Sequence, residues 1–207
     1  MLKELLARYP VLTACEKEIV AARDALISCY KNGGKVLLAG NGGSCADCDH
    51  IVGELMKGFL KKRPLSEEKK REMKAAYAVD DAILSSLQVG LPAISLQSLT
   101  ALNSAFCNDV DPELIYAQAV LGLGKAGDVL IALSTSGNAK NVAAAVAVAK
   151  SIGMTVIGMT GAKGGRLREM ADYPIPVPET ETFKVQELHL PVYHYLCAAV
   201  EAHFFDC

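Results

Sequence analysis

Two short stretches of the chain combine residue types and spacings that could do chemistry. The first, Gly40-Asn41-Gly42-Gly43-Ser44, runs into a helical pattern in which His50 and Glu54 stand four residues apart. On a helix that spacing puts both side chains on one face, about 6 Å apart. An imidazole and a carboxylate so placed can share a metal ion, share one substrate, or pair at the surface. The second, Ser134-Thr135-Ser136-Gly137-Asn138, sets three hydroxyls before a glycine and opens another helical pattern. Helix N-termini present free N–H groups and a partial positive charge, so added hydroxyls there make a place for an anion such as phosphate. Ser, Thr and Asn are also ordinary N-caps, but a cap needs only one of them. Neither turn is a P-loop (GxxxxGK[ST]) or a dinucleotide fingerprint (GxGxxG). Cys45 and Cys48 form a lone CxxC, with neither a second pair nor a thioredoxin-like pattern around it. These two read as small packed side chains, and His189 and His203 as packed or surface residues.

Elements must hold these groups in place. Apolar runs of strand length lie at 36–40, 93–96, 128–133, 155–160 and 173–177. Segments of helical length separate most of them, at 44–60, 98–107 and 138–152, and the last 25 residues or so read as one helix. Buried strands alternating with helices predict an α/β fold with a parallel sheet covered on both faces. Both turns then join the C-terminal end of a strand to a helix, where open parallel sheets bind ligands. Helical spacing over residues 1–32 breaks at Pro10 and stops at Asn32-Gly33-Gly34. Residues 61–80 are the exception to the alternation. Lys61-Lys62-Arg63-Pro64 reads as a charged stop, and Ser66 as the N-cap of a charged helix running to about Tyr77. A solvated insertion is the simplest reading of this segment, and a lid over a pocket the alternative.

At 207 residues the chain is expected to form one domain over 1–207. A 51% hydrophobic content excludes a disordered chain, and a net charge of -2 speaks against bulk nucleic-acid binding. No apolar stretch is long enough to span a membrane. The N-terminus does not read as a secretory signal, and seven irregularly spaced cysteines fit reduced thiols, so the expected location is the cytoplasm.

Taken together, GNGGS at 40–44, HxxxE at 50–54, STSGN at 134–138 and the late Gln186-Glu187 followed by His194 resemble the sugar isomerase (SIS) domain family. The likeness is greatest to its phosphoheptose isomerase-like branch and covers nearly the whole chain. The resemblance implies a three-layer sandwich around a five-stranded parallel sheet, a homotetramer, and an aldose–ketose isomerase acting on a phosphorylated sugar. It implies that Glu54 and His194 are catalytic. It implies that His50, Glu54, Gln186 and His194 hold Zn²⁺ or another divalent metal, a nitrogen and oxygen donor set of a suitable kind. Substrate and phosphate contacts are implied for Asn41, Gly42, Gly43, Ser44, Asn108, Asp109, Ser134, Thr135, Ser136, Asn138 and Gln186. Eight residues of helix place Gln186 and His194 about 12 Å apart in rise, so one ion reaches both only from between them, on an irregular helix, or with ligands from two chains.

Several positions depart from the family pattern: Leu96-Gln97 follows the strand where an acidic residue is usual, Ala139 replaces a serine, and Lys57 stands near the place of an arginine. The expected reaction interconverts sedoheptulose 7-phosphate and D-glycero-D-manno-heptose 7-phosphate. The alternatives are a non-catalytic SIS module that binds a phosphosugar or a protein, and a lyase or etherase of amino-sugar phosphates.

Overall fold

The structure, a computed structural model, describes residues 1–205; the last two residues of the expected domain lie outside the described residues. Two N-terminal helices, α1 (Leu2–Arg8) and α2 (Glu16–Lys31), flank a 3₁₀ turn that begins at Pro10. The chain then alternates: β1 (Val36–Ala39), α3 (Gly43–Met56), α4 (Glu67–Ala76), α5 (Asp81–Ser86), β2 (Ala93–Ser95), α6 (Thr100–Asp109), α7 (Ile115–Leu123) and β3 (Val129–Leu133). It continues through α8 (Lys140–Ser151), β4 (Thr155–Thr160), α9 (Gly165–Met170), β5 (Tyr173–Pro176) and the long α10 (Thr182–Phe205).

All five strands pair in parallel, in the order β2-β1-β3-β4-β5. Successive residues of each strand point to opposite faces, so each strand feeds two cores. Val36, Leu38, Val129, Ile131, Ile157 and Ile175 pack with α2, α3 and α10. Leu37, Ala39, Leu130, Ala132 and Val156 pack with α7, α8 and α9 on the other side. This is the expected three-layer sandwich. With both faces covered, near-continuous apolar strands are required, and β1 and β3 are buried at every position.

The strand order reverses at β1, so the crossovers after β1 and β3 leave toward opposite faces. A crevice opens between their C-terminal ends, the place where such sheets bind ligands. In register, Ala39 lies beside Ala132, which brings the two glycine-serine turns together.

Two expectations need correction. The helix expected over 44–60 stops at Met56, because the amides beyond it are captured by a carboxylate described below. The charged stop at 61–63 is not wholly solvated, since Arg63 is 1% exposed. Beyond it, α4 follows the sequence: the Ser66 side chain accepts from the Lys69 N–H at 3.1 Å, and no residue of α4 is buried. Among the described residues, no helix is long and apolar enough to cross a membrane.

Candidate active site

The two turns and the start of α10 enclose a cavity of about 300 Å³. Asn41, Gly42, Gly43, Ser44, Ser134, Thr135, Ser136 and Gln186 all line it, as expected, together with Ala139 and Thr182. At Gly43 a Cβ would stand 2.4 Å from Gln186 Nε2, so any side chain there would displace the Gln186 amide. Gly137 is required twice over, by its φ of +69° and because a Cβ would lie 1.8 Å from the Gly164 carbonyl oxygen. The second turn is braced from behind. Gly161 N–H donates to Thr135 O at 3.0 Å, Leu167 N–H donates to Gly137 O at 2.9 Å, and Arg166 N–H donates to Asn138 Oδ1 at 3.2 Å. Asn138 is therefore spent on the brace and does not line the cavity. Asn41 lines it, but its amide is exchanged with that of Asn141 at 2.8 and 3.0 Å. Neither α3, which starts after Gly42, nor α8, which starts after Ala139, has a side-chain N-cap. Of their first-turn N–H groups, those of Ser44 and Cys45 donate to the Asn41 and Gly42 carbonyls at 3.0 Å and that of Val142 to Asn141 Oδ1 at 2.9 Å, so only the remaining ones can meet a ligand.

Further along α3 and α10 lies a second cluster. His50 Nε2 and Glu54 Oε1 are 3.2 Å apart. The His194 ring meets the His50 ring edge-on at 5.0 Å and packs near Phe59 at 5.6 Å. Glu54 is 14% exposed at its side chain, less than a solvated surface pair would be, and its Oε2 is buried without a hydrogen-bond partner. Lys57 Nζ stands 3.9 Å from that oxygen, too far for a hydrogen bond. Burial, and secondarily the neighbouring His50, lowers the pKa of His194, while Glu54 pulls the other way; the net effect favours the neutral imidazole.

The donor types suit a divalent ion, and the orphaned Glu54 Oε2 is a free acceptor for one. Even so, no group of three His, Cys, Asp or Glu side chains among the described residues is arranged to hold a metal. Gln186 turns to Gly43 and the cavity, one end of the site, while His194 belongs to the other. Asn108 and Asp109 pair with each other at 2.7 Å on the exposed end of α6, and neither lines the cavity. His189 is packed, at 0% exposure, and His203 is exposed. Cys48 is buried and Cys45 partly so; burial raises both thiols, which leaves them unreactive.

Sequence reasoning missed what holds the cluster. Arg63 donates through Nε to Glu201 Oε1 at 2.8 Å and through its terminal nitrogens to the carbonyls of Leu55 at 2.7 Å and Glu54 at 3.3 Å. Glu201 also accepts from the N–H groups of Phe59 at 2.8 Å, Leu60 at 2.7 Å and Lys61 at 3.1 Å. Burial alone would raise the Glu201 carboxyl, but those amides and the guanidinium outweigh it and hold it below the usual range. The pair thus closes the end of α3 and seats Phe59 against His194. A signal was present: Glu201 is a lone acid after Cys197-Ala198-Ala199-Val200, and a buried charge needs a partner. Tyr193, whose hydroxyl lies 3.0 Å from His50 Nδ1, and Asp47, which accepts from that hydroxyl, were missed as well.

Comparison with known proteins agrees with the geometry. The SIS domain family model matches residues 72–161. The chain is 41% identical to the phosphoheptose isomerase of Burkholderia pseudomallei over 182 residues, 88% of this chain and 80% of that protein. It is 39% identical to phosphoheptose isomerase 2 of Campylobacter jejuni, over 87% of this chain and 77% of that one. Among solved structures, a phosphoheptose isomerase from Francisella tularensis superposes with a TM-score of 0.77 at 30% identity, over 96% of this chain and 92% of that one. That from Neisseria gonorrhoeae gives 0.74 at 30% identity, over 98% and 100%. By this similarity, spread over nearly its whole length, the chain belongs to the phosphoheptose isomerase family of SIS-domain proteins.

Proposed function

We propose that this chain is an aldose–ketose isomerase that interconverts sedoheptulose 7-phosphate and D-glycero-D-manno-heptose 7-phosphate. The observation that carries the reading is the shared direction of α3 and α10. Each helix begins at the hydroxyl-lined cavity and carries its imidazole or carboxylate farther along. From Ser44, His50 lies about 9 Å and Glu54 about 15 Å along the helix. A seven-carbon sugar phosphate carries its phosphate and its carbonyl at opposite ends. With the phosphate in the cavity, its reacting carbons reach toward His50, Glu54 and His194.

Isomerisation moves a proton between adjacent carbons through an enediol. Glu54, with one buried and unpartnered oxygen, is the proposed base for the C–H proton. His194, kept neutral by burial, is the proposed group that handles the oxygens. Ser44, Ser134, Thr135 and Ser136 hold the phosphate, and this remote binding positions the reacting carbons. His50, Glu54, Gln186 and His194 are proposed to hold Zn²⁺ or a similar divalent ion with ligands drawn from two chains, since Gln186 and His194 of one chain lie at opposite ends of the site; such an ion would supply polarisation of the carbonyl. A homotetramer in the cytoplasm belongs to the same proposal.

The test is turnover of a panel of ketose phosphates by the purified chain. Formation of a heptose 7-phosphate from sedoheptulose 7-phosphate, in preference to shorter ketose phosphates, is expected. Binding without any turnover would instead favour a non-catalytic phosphosugar-binding module.

A further inference from the structure

Asn41, in the turn after β1, and Asn141, in the first turn of α8, stand 100 residues apart in the chain, and their side-chain amides meet. Asn41 Nδ2 donates to Asn141 Oδ1 at 2.8 Å, and Asn141 Nδ2 donates to Asn41 Oδ1 at 3.0 Å. The orientation of both amides follows from a group that can only donate. The Val142 N–H meets one end of the Asn141 amide at 2.9 Å, so that end is the oxygen. The Asn41 atom facing this oxygen is then the nitrogen, and the other Asn41 atom is the oxygen. Tyr116, 3% exposed on α7, seats the same residue: its hydroxyl donates to the Gly40 carbonyl at 2.7 Å and to Asn41 Oδ1 at 3.2 Å. Asn41 is also held at its backbone, where its carbonyl accepts from the Ser44 N–H at 3.0 Å. One N–H of Asn41 Nδ2 is left without a partner among the described residues, in a side chain that lines the cavity. Asn141 does not line it.

We propose that Asn141 is a positioning residue of the phosphate site: its amide ties the turn after β1 to the start of α8, sets the separation of the two turns, and holds the remaining N–H of Asn41 for the ligand. The sheet fixes Ala39 beside Ala132, but past those residues the two chains leave toward opposite faces. Among the described residues, the amide pair makes the only hydrogen bonds printed between residues 40–44 and 134–141. Separation matters because hydroxyl and amide donors from both sides must each come within about 3 Å of one anion. A site held at that spacing before the ligand arrives spends less binding energy on ordering itself. The inference rests on the reading of this cavity as the phosphate site. Its readout, the affinity for inorganic phosphate, is independent of which sugar is turned over.

The experiment is a titration of the full chain with inorganic phosphate, followed by NMR of the side-chain amides, in wild type, Asn141→Ala, Asn41→Ala and the double variant. Alanine is the better helix former, so Asn141→Ala is expected to fold. Its phosphate affinity is expected to fall about threefold to tenfold, the scale of one lost hydrogen bond. A general loosening of the fold would add to any other loss, whereas a residue acting through Asn41 has nothing left to do once Asn41 is gone. The double variant is therefore expected to bind within about twofold of Asn41→Ala alone. In the wild type one hydrogen of the Asn41 amide is expected downfield of its free position, and in Asn141→Ala it should return there. Unchanged phosphate affinity in Asn141→Ala would overturn the proposal, as would additive losses in the double variant or an unmoved Asn41 amide. A wild-type chain that binds no inorganic phosphate would overturn the phosphate site and the inference together. Weakened phosphate binding in a chain that isomerises nothing would refute the proposed reaction and leave the role of Asn141 standing.

Discussion

At the scale of single residues, the cavity proposed to hold the phosphate has neither lysine nor arginine among its lining residues. Hydroxyls and helix amides supply directed hydrogen bonds in place of a mobile charge. A hydrogen bond to a charged group is worth about 1.5–3 kcal/mol, so Ser136→Ala is expected to weaken phosphosugar binding about tenfold or more. Calorimetric titration with sedoheptulose 7-phosphate reads this, and unchanged affinity would remove Ser136 from the cradle. The cradle and the His50–Glu54 pair were legible in the sequence, because both are local patterns: hydroxyls in a row, and two groups one helical turn apart. Asn138 shows the limit of that reading. Its place in STSGN marks it as a ligand group, yet its amide is used by the backbone of α9. The Asp47–Tyr193 hydrogen bond spans 146 residues of chain, and no short-range pattern announces such a contact.

At the scale of elements, α3 and α10 carry the residues proposed to do the chemistry, and their mutual placement rests on buried polar groups. Arg63 and Glu201 are 1% and 0% exposed. Arg63→Ala leaves a buried carboxylate unpaired, which costs about 3–5 kcal/mol; chemical denaturation is expected to show a loss of that size, and a loss below 1 kcal/mol would contradict the proposed clamp. The misreading of Arg63 has a physical reason. Lys61-Lys62-Arg63-Pro64 reads as a solvated charge run, and only the distant Glu201 makes burial of one member affordable. The same carboxylate ends α3 by taking the amides of Phe59 and Leu60, whereas periodicity alone carried the expected helix on to residue 60. The strands posed no such difficulty, since burial on both faces leaves nothing but apolar runs.

A pH dependence also belongs to this scale. Burial lowers His189 to about 4, against a reference of 6.5, with its bond to the Thr160 carbonyl acting the other way. Between those values the unfolded chain takes up a proton that the folded chain refuses. The associated stability is therefore present above pH 6.5 and is lost as the pH falls toward 4, by about 3 kcal/mol. Glu201, depressed in the fold, also loses stability on acidification, but it is common to wild type and variant. His189→Gln is accordingly expected to show a shallower fall in unfolding free energy between pH 7 and pH 4.5, and parallel curves would contradict the assignment.

At the scale of the whole molecule, the order β2-β1-β3-β4-β5 makes a site at the β1/β3 crevice natural, and that much followed from alternating strands and helices. What a single chain's sequence did not expose is where Asn108 and Asp109 belong, since one chain leaves them on an outer helix end away from the cavity. The surface carries large apolar side chains, including Tyr77 at 79% and Leu121 at 60% exposure. Such residues fit the proposed tetramer, and native mass spectrometry is expected to give four times the mass of one chain; a monomer at micromolar concentration would contradict it. The central claim is that Glu54 and His194 move the proton at the end of a phosphate-anchored sugar. It is tested most directly by incubating sedoheptulose 7-phosphate in D₂O with wild type, Glu54→Gln and His194→Asn and following the carbon-bound protons by NMR. The expected result is heptose formation with solvent deuterium entering beside the carbonyl in the wild type. In both variants the exchange should slow by about 10²–10⁴-fold while inorganic phosphate still binds. Exchange at the wild-type rate in either variant would contradict the account.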